Sequence, residues 1–233
     1  MVQVDARTAR TSLQIRKGCV DERVMAAQQI YSAYANNVYV VENTFSATMS
    51  SIEKDVETFI NEKKQKPVII IDYLQVIQPP EESNKTAKDL VDIHISRLKK
   101  LQAKYKLVIM VVSSFNRQNY LTQVDFESFK ESGGIEYTAD VVWGLQLEVL
   151  HDKLFNSTAK INEKRQKIKE AKAANPRRVE LVCLKNRFGV SSYTCNFEYF
   201  PQFDLFRPVM PQNVSQLSAK NTDPDGFNTS FNA

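Results

Sequence analysis

Two short, uninterrupted apolar runs, Val68–Ile71 and Leu107–Val112, stand on either side of a long amphipathic stretch. Continuous β-branched runs of this length suit strands covered on both faces, as in a parallel sheet. Between them Val91, Ile95, Leu98, Leu101 and Tyr105 recur at helical spacing, so Ala87–Lys106 is expected to form a helix. Strands alternating with helices argue for an α/β fold with a mostly parallel sheet flanked by helices.

The flanking sequence extends the pattern. Asp21–Asn36 reads as a helix with Val24, Ala27, Tyr31 and Tyr34 on one side, and Val38–Val41 as a short strand. Met49, Ile52, Val56, Phe59 and Ile60 form another helical stripe. Downstream, Val141–Leu147 reads as a strand and His151–Ala174 as a polar helical segment stopped by Pro176. Val179–Leu184 and Thr194–Phe200 then pair as an antiparallel hairpin around a turn at Asn186–Ser191. The domain is expected to span 1–208, with a basic helical insertion at about 151–178, and 209–233 to be a disordered polar tail. No apolar run is long enough to cross a bilayer, so no membrane partner is expected. Cys19, Cys183 and Cys195 form no Cys-x-x-Cys pair, which suits a reducing cytoplasm.

Six glycines limit the chemistry: Gly18, Gly133, Gly134, Gly144, Gly189 and Gly226. None stands in a Gly-x-x-x-x-Gly-Lys or Gly-x-Gly-x-x-Gly string, so these residues contain no glycine-rich phosphate loop. Charge is unevenly placed within a net +4: Lys160–Arg187 holds ten Lys/Arg against three Glu. Such a segment is either a solvated helical face or a phosphate-binding one. No His/Cys/Asp cluster has zinc-ligand spacing, and no Gly-x-Ser-x-Gly elbow supports a hydrolase triad.

Polar residues collect where strands end. Asp72 closes the run Ile69-Ile70-Ile71, in the string Ile71-Asp72-Tyr73-Leu74-Gln75. A carboxylate there either holds Mg²⁺ beside a nucleotide or caps the following turn. Val112 is followed by Ser113-Ser114-Phe115-Asn116-Arg117. Further on come Glu131-Ser132-Gly133-Gly134-Ile135-Glu136, Ala139-Asp140-Val141-Val142 and Lys185-Asn186-Arg187-Phe188-Gly189. Together with Ile15-Arg16-Lys17-Gly18, these strings resemble the C-terminal motor domain of DnaB-type replicative DNA helicases, over roughly Ser12–Phe206.

The resemblance implies a RecA-like fold, with the P-loop strand beside Leu107–Val112. It implies that Asp72 is the Walker B acid near Mg²⁺, and that Ser114, Asn116 and Arg117 form the nucleotide sensor. Lys185 and Arg187 would reach the ATP of a neighbouring subunit in a homo-hexamer, Arg187 as the arginine finger. Arg117, Asn119, Lys130, Ser132 and Gly133 would lie near single-stranded DNA in the central channel. Ser114 departs from the family's glutamine. The family's P-loop and catalytic glutamate have no counterpart in these residues. ATP and Mg²⁺ are therefore expected for the intact helicase, with no tight binding by this chain alone. A P-loop segment becomes a needed partner, and Leu107–Val112 is expected to keep an unpaired edge. The alternative is a non-catalytic protein that docks on a helicase ring and presents Lys185 and Arg187.

Overall fold

The structure is a computed structural model that describes residues 10–42, 46–79, 85–116, 120–129, 133–156 and 160–209. Its helices are α1 (Ser12–Arg16), α2 (Glu22–Ala35), α3 (Met49–Lys63), α4 (Ala87–Tyr105), α5 (Gly133–Thr138) and α6 (Ile161–Ala173). Its strands are β1 (Val68–Ile71), β2 (Val108–Val111), β3 (Val141–Leu147), β4 (Arg177–Asn186), β5 (Thr194–Phe200) and β6 (Leu205–Pro208). The α/β architecture stands as expected. The strands divide into a parallel pair, β1–β2, and an antiparallel sheet in the order β3–β4–β5–β6.

The parallel pair is built by α3 and α4. Thr48 caps α3 by accepting from the Ser51 amide, and Thr86 caps α4 from the Asp89 amide. Both helices end on a left-handed lysine, Lys64 at φ 55° and Lys106 at φ 53°. Each turn feeds straight into the following strand, which is why the chain manages these αβ connections with so few glycines. β1 and β2 then pair in register from Val68 with Val108 to Ile71 with Val111. Met49, Leu74, Ile77, Val91 and Leu98 are buried together, with Ile71, Ile109 and Val111 packed against them. Val56, Leu101 and Leu107 form a second cluster under Ile60 and Ile69. Each fully buried side chain of this kind contributes about 1.5–3 kcal/mol.

The expectation that both faces of these strands are covered is corrected. Side chains alternate along β1 and β2, so one face packs on α3 and α4 while the other stays open. Val68 (65%), Ile70 (66%) and Val108 (63%) remain exposed, as do Trp143 and Leu145 on β3. Among the described residues β2 pairs only with β1, and β3 only with β4, so the two sheets share no strand.

Other boundaries shift. Val38–Val41 is exposed and forms no strand. α2 forms where expected, capped by Asp21, yet buries none of its residues. The segment expected as one helix from His151 breaks into short 3-10 turns, Glu148–His151 and Lys153–Asn156, before α6. The expected hairpin is part of a larger sheet, because β6 adds a strand on β5. The expected tail, apart from its first residue Val209, lies outside the described residues. No helix among the described residues is long and apolar enough to cross a membrane.

His94 lies buried on α4, where burial, aided by the neighbouring Arg97 charge, holds its pKa below the ordinary histidine value. The unfolded chain therefore takes up this proton first as pH falls. The contribution to stability is complete above the ordinary value and is lost as pH drops toward the depressed one. The urea midpoint should fall between pH 7 and pH 5, and His94→Leu should remove part of that slope. An identical pH profile in the variant would contradict the assignment.

Candidate functional site

The chain ends of the parallel pair are tied to one another. The Val112 amide donates to the Ile71 carbonyl (2.9 Å), and the Leu74 amide to the Val112 carbonyl (2.8 Å). Gln75 crosses between the strands: its Nε2 donates to Ser113 Oγ at 2.8 Å, and the Ser114 amide donates to its Oε1 at 3.3 Å. Asp72 sits at this edge, exposed, with no hydrogen bond or ion pair among the described residues. One open carboxylate beside a sheet edge fits Mg²⁺, which keeps most of its waters and takes its remaining ligands from phosphates. No cluster of three or more His, Cys, Asp or Glu that could hold a metal by itself occurs among the described residues.

Beyond β2 the chain folds back. The Asn116 amide donates to the Ser128 carbonyl at 2.7 Å, and the Phe115 and Phe129 rings meet edge to face at 5.3 Å. The returning segment is held against β3 by a buried polar chain. Gln146 Oε1 accepts from the Val124 amide at 2.6 Å, and its Nε2 donates to Glu180 Oε1 at 2.6 Å. His151 Nε2 lies 2.7 Å from the same Glu180 oxygen. Gly144 allows the close approach: a Cβ there would come within 2.4 Å of Val124 Cγ2.

The second cluster lies at the far end of β4. Lys185 Nζ donates to the Glu136 carbonyl at 2.5 Å, joining β4 to α5. Arg187, in the turn after β4, donates from Nη1 to Asp140 Oδ1 at 2.7 Å, and from its amide to the Asp140 carbonyl at 2.9 Å. Lys99 of α4 holds the other oxygen of Asp140 at 2.7 Å. The Lys99 hydrogen bond, reinforced by the Arg187 charge, holds the Asp140 carboxyl below the ordinary aspartate range. The Gly134 amide donates to Asp92 Oδ1 at 2.9 Å, which docks α5 on α4.

The structure thus brings Asp72, Ser113 and Ser114 to one edge, and Lys185 and Arg187 to another. No hydrogen bond or ion pair among the described residues joins Asp72 to either cation. Gly133 opens α5, while Arg117, Asn119, Lys130 and Ser132 lie outside the described residues. Sequence reasoning left Gln75 and Asp140 without roles, although both stand inside the quoted strings. Their partners are 38 to 47 residues away, so no local spacing marks them.

Residues 3–208 match the family model described as DnaB-like helicase C terminal domain. A curated relative, described as a probable replicative DNA helicase from Trieres chinensis, is 24% identical over 165 residues, covering 69% of this chain and 35% of the relative. Among solved structures, a DnaB-like replicative helicase studied with its primase interactions superposes with a TM-score of 0.61 at 18% identity, over 84% of this chain and 45% of that one. A second solved structure, described as an ATPase domain, gives 0.64 at 19% identity, over 86% of this chain and 66% of that one. These two likenesses show the fold. The chain spans about a third of the curated relative's length.

Proposed function

The chain belongs to the DnaB-like helicase C-terminal domain family, and from that premise we propose that it is the arginine-finger half of a replicative DNA helicase motor. The assembly is a homo-hexamer that hydrolyses ATP to move along single-stranded DNA, in the cytoplasm, and so to unwind duplex. The observation that carries this reading is that Asp72 lies where β1 ends, while Lys185 and Arg187 are held by the Glu136 carbonyl and Asp140, and no hydrogen bond or ion pair among the described residues joins Asp72 to either cation. A carboxylate serving one nucleotide and a guanidinium serving the next subunit's need that layout.

Asp72 would hold Mg²⁺, which would supply positive charge against the charge that develops on the ATP phosphates. Arg187 waits on Asp140. An exposed ion pair of this kind is worth only about 0–1 kcal/mol, so its release costs little. Lys99 stays on Asp140 when Arg187 leaves, so the carboxylate is never left without a cation. Lys185, anchored on the α5 carbonyl of Glu136, follows the same phosphates. Gln75, by bonding Ser113 and Ser114, couples the Asp72 edge to the segment that continues toward the DNA-facing residues Arg117, Asn119, Lys130, Ser132 and Gly133. This offsets the short Ser114 at the sensor position.

The phosphates themselves are held by a glycine-rich loop outside these 233 residues, since none occurs within them. Its strand would pair with the edges of β2 and β3 that have no partner among the described residues, and its helix would cover Val68, Ile70, Val108 and Trp143. Calorimetric titration of this chain with MgATP should give no saturable binding below millimolar concentration. A micromolar site would overturn the assignment of phosphate binding to an outside segment.

A further inference from the structure

α6 has two unlike sides. Its inner side is tied down: Lys164 is buried, donates to the Phe155 carbonyl at 3.3 Å and lies over the Phe155 ring. One turn on, Lys167 forms an ion pair with Asp152. Arg165, Lys169 and Lys172 are exposed. Their spacing, i, i+4 and i+7, places them in one row about 10 Å long on a helix. Among the described residues no carboxylate lies within ion-pair distance of any of the three. The acids of the helix are engaged elsewhere: Glu163 by Lys160 at 3.3 Å, and Glu170 by the Gln166 amide at 2.8 Å. The three cations of the row thus have no ion-pair partner among the described residues.

α6 contains no aromatic residue, so this row offers nothing for a base to stack on. Three unpaired cations in line, without a ring or a base-reading amide among them, suit phosphates contacted without reading sequence. We propose that the Arg165–Lys169–Lys172 row is a sequence-neutral contact for the phosphodiester backbone of nucleic acid, separate from the residues after β2. Its binding energy comes from counterion release, so it acts without ATP and without a neighbouring subunit. It does not depend on the finger role of Arg187.

The test measures anisotropy of a labelled thirty-nucleotide oligo(dT) against the 233-residue chain across a salt series. The triple variant R165Q/K169Q/K172Q keeps helix propensity, since glutamine is a good helix former, and circular dichroism checks that it does. The expected result is a salt slope, log K against log salt, shallower by about two in the triple variant. A control variant, K54Q/K63Q/K66Q, removes the same charge from an exposed region of α3 and the turn after it, and should keep the wild-type slope. A mixed-sequence oligonucleotide should bind the wild-type chain with the same slope as oligo(dT). An unchanged slope in the triple variant overturns the proposal, as does an equal change in the control, which would mean that net charge alone acts.

Discussion

Arg187→Ala should lower ATP turnover of the assembled motor by about 10³–10⁵, the range for an arginine finger supplied in trans. The substitution leaves little else to explain the loss. Arg187 is half-exposed and its partner Asp140 keeps Lys99, so the fold should survive. Subunit mixing separates action in trans from action in cis. A ring of Asp72→Asn subunits and a ring of Arg187→Ala subunits should each be inactive. Mixed in equal parts, about a quarter of the head-to-tail interfaces join an intact Asp72 to an intact Arg187. Activity should therefore reappear in the mixture. Complete inactivity of the mixture would place Arg187 on its own subunit's nucleotide.

Gln146→Leu should cost stability on the order of 2–4 kcal/mol, the loss of a hydrogen bond to a carboxylate together with a backbone amide left unsatisfied. Gln146 is buried and bonds two groups, the Val124 amide and the Glu180 carboxylate, of which Glu180 keeps His151 as a second partner. Leucine fills a similar volume, so the loss reflects the missing hydrogen bonds rather than a cavity. The thermal midpoint should drop by roughly 10 °C for a chain of this size. The segment from Tyr120 to Phe129 should then exchange its amides faster than β5 does. A loss under about 1 kcal/mol would mean that the polar chain from Val124 to His151 does not hold this segment in place.

The elements most readable in the sequence were those whose pattern coincides with their packing. α4 is such a case: its apolar stripe meets the β1–β2 pair. β3 is the opposite case, since it buries Gly144 and Gln146 and leaves Trp143 and Leu145 exposed. The apolar runs of β1 and β2 mark strands for the same reason as in α4, yet only every second side chain is covered. Among the described residues nothing covers the second face. Val38–Val41 illustrates the same point, since a β-branched run forms a strand only where an edge accepts it. β6 went unnoticed because Pro208 and Arg207 break the alternation, while pairing with β5 provides its hydrogen bonds.

The site was legible as strings and illegible as contacts. Asp72 could be placed at a strand end because one apolar run marks both the strand and its terminus. The restraint on Arg187 could not, because it depends on Asp140 and Lys99 meeting across α4, β3 and the β4 turn. Glycine scarcity was informative about phosphate loops but not about backbone shape. Lys64, Lys106 and Lys160 take the left-handed positions that glycine usually fills.

The central claim is that Arg187 leaves Asp140 for a nucleotide held by the next subunit. Electron cryomicroscopy of the assembled helicase with a non-hydrolysable ATP analogue tests it most directly. The Arg187 guanidinium should lie within hydrogen-bond distance of the neighbouring subunit's γ-phosphate, with Lys99 still on Asp140. An added strand should pair with both β2 and β3. Arg187 still bound to Asp140 beside an occupied nucleotide site, with β2 and β3 unpaired, would contradict it.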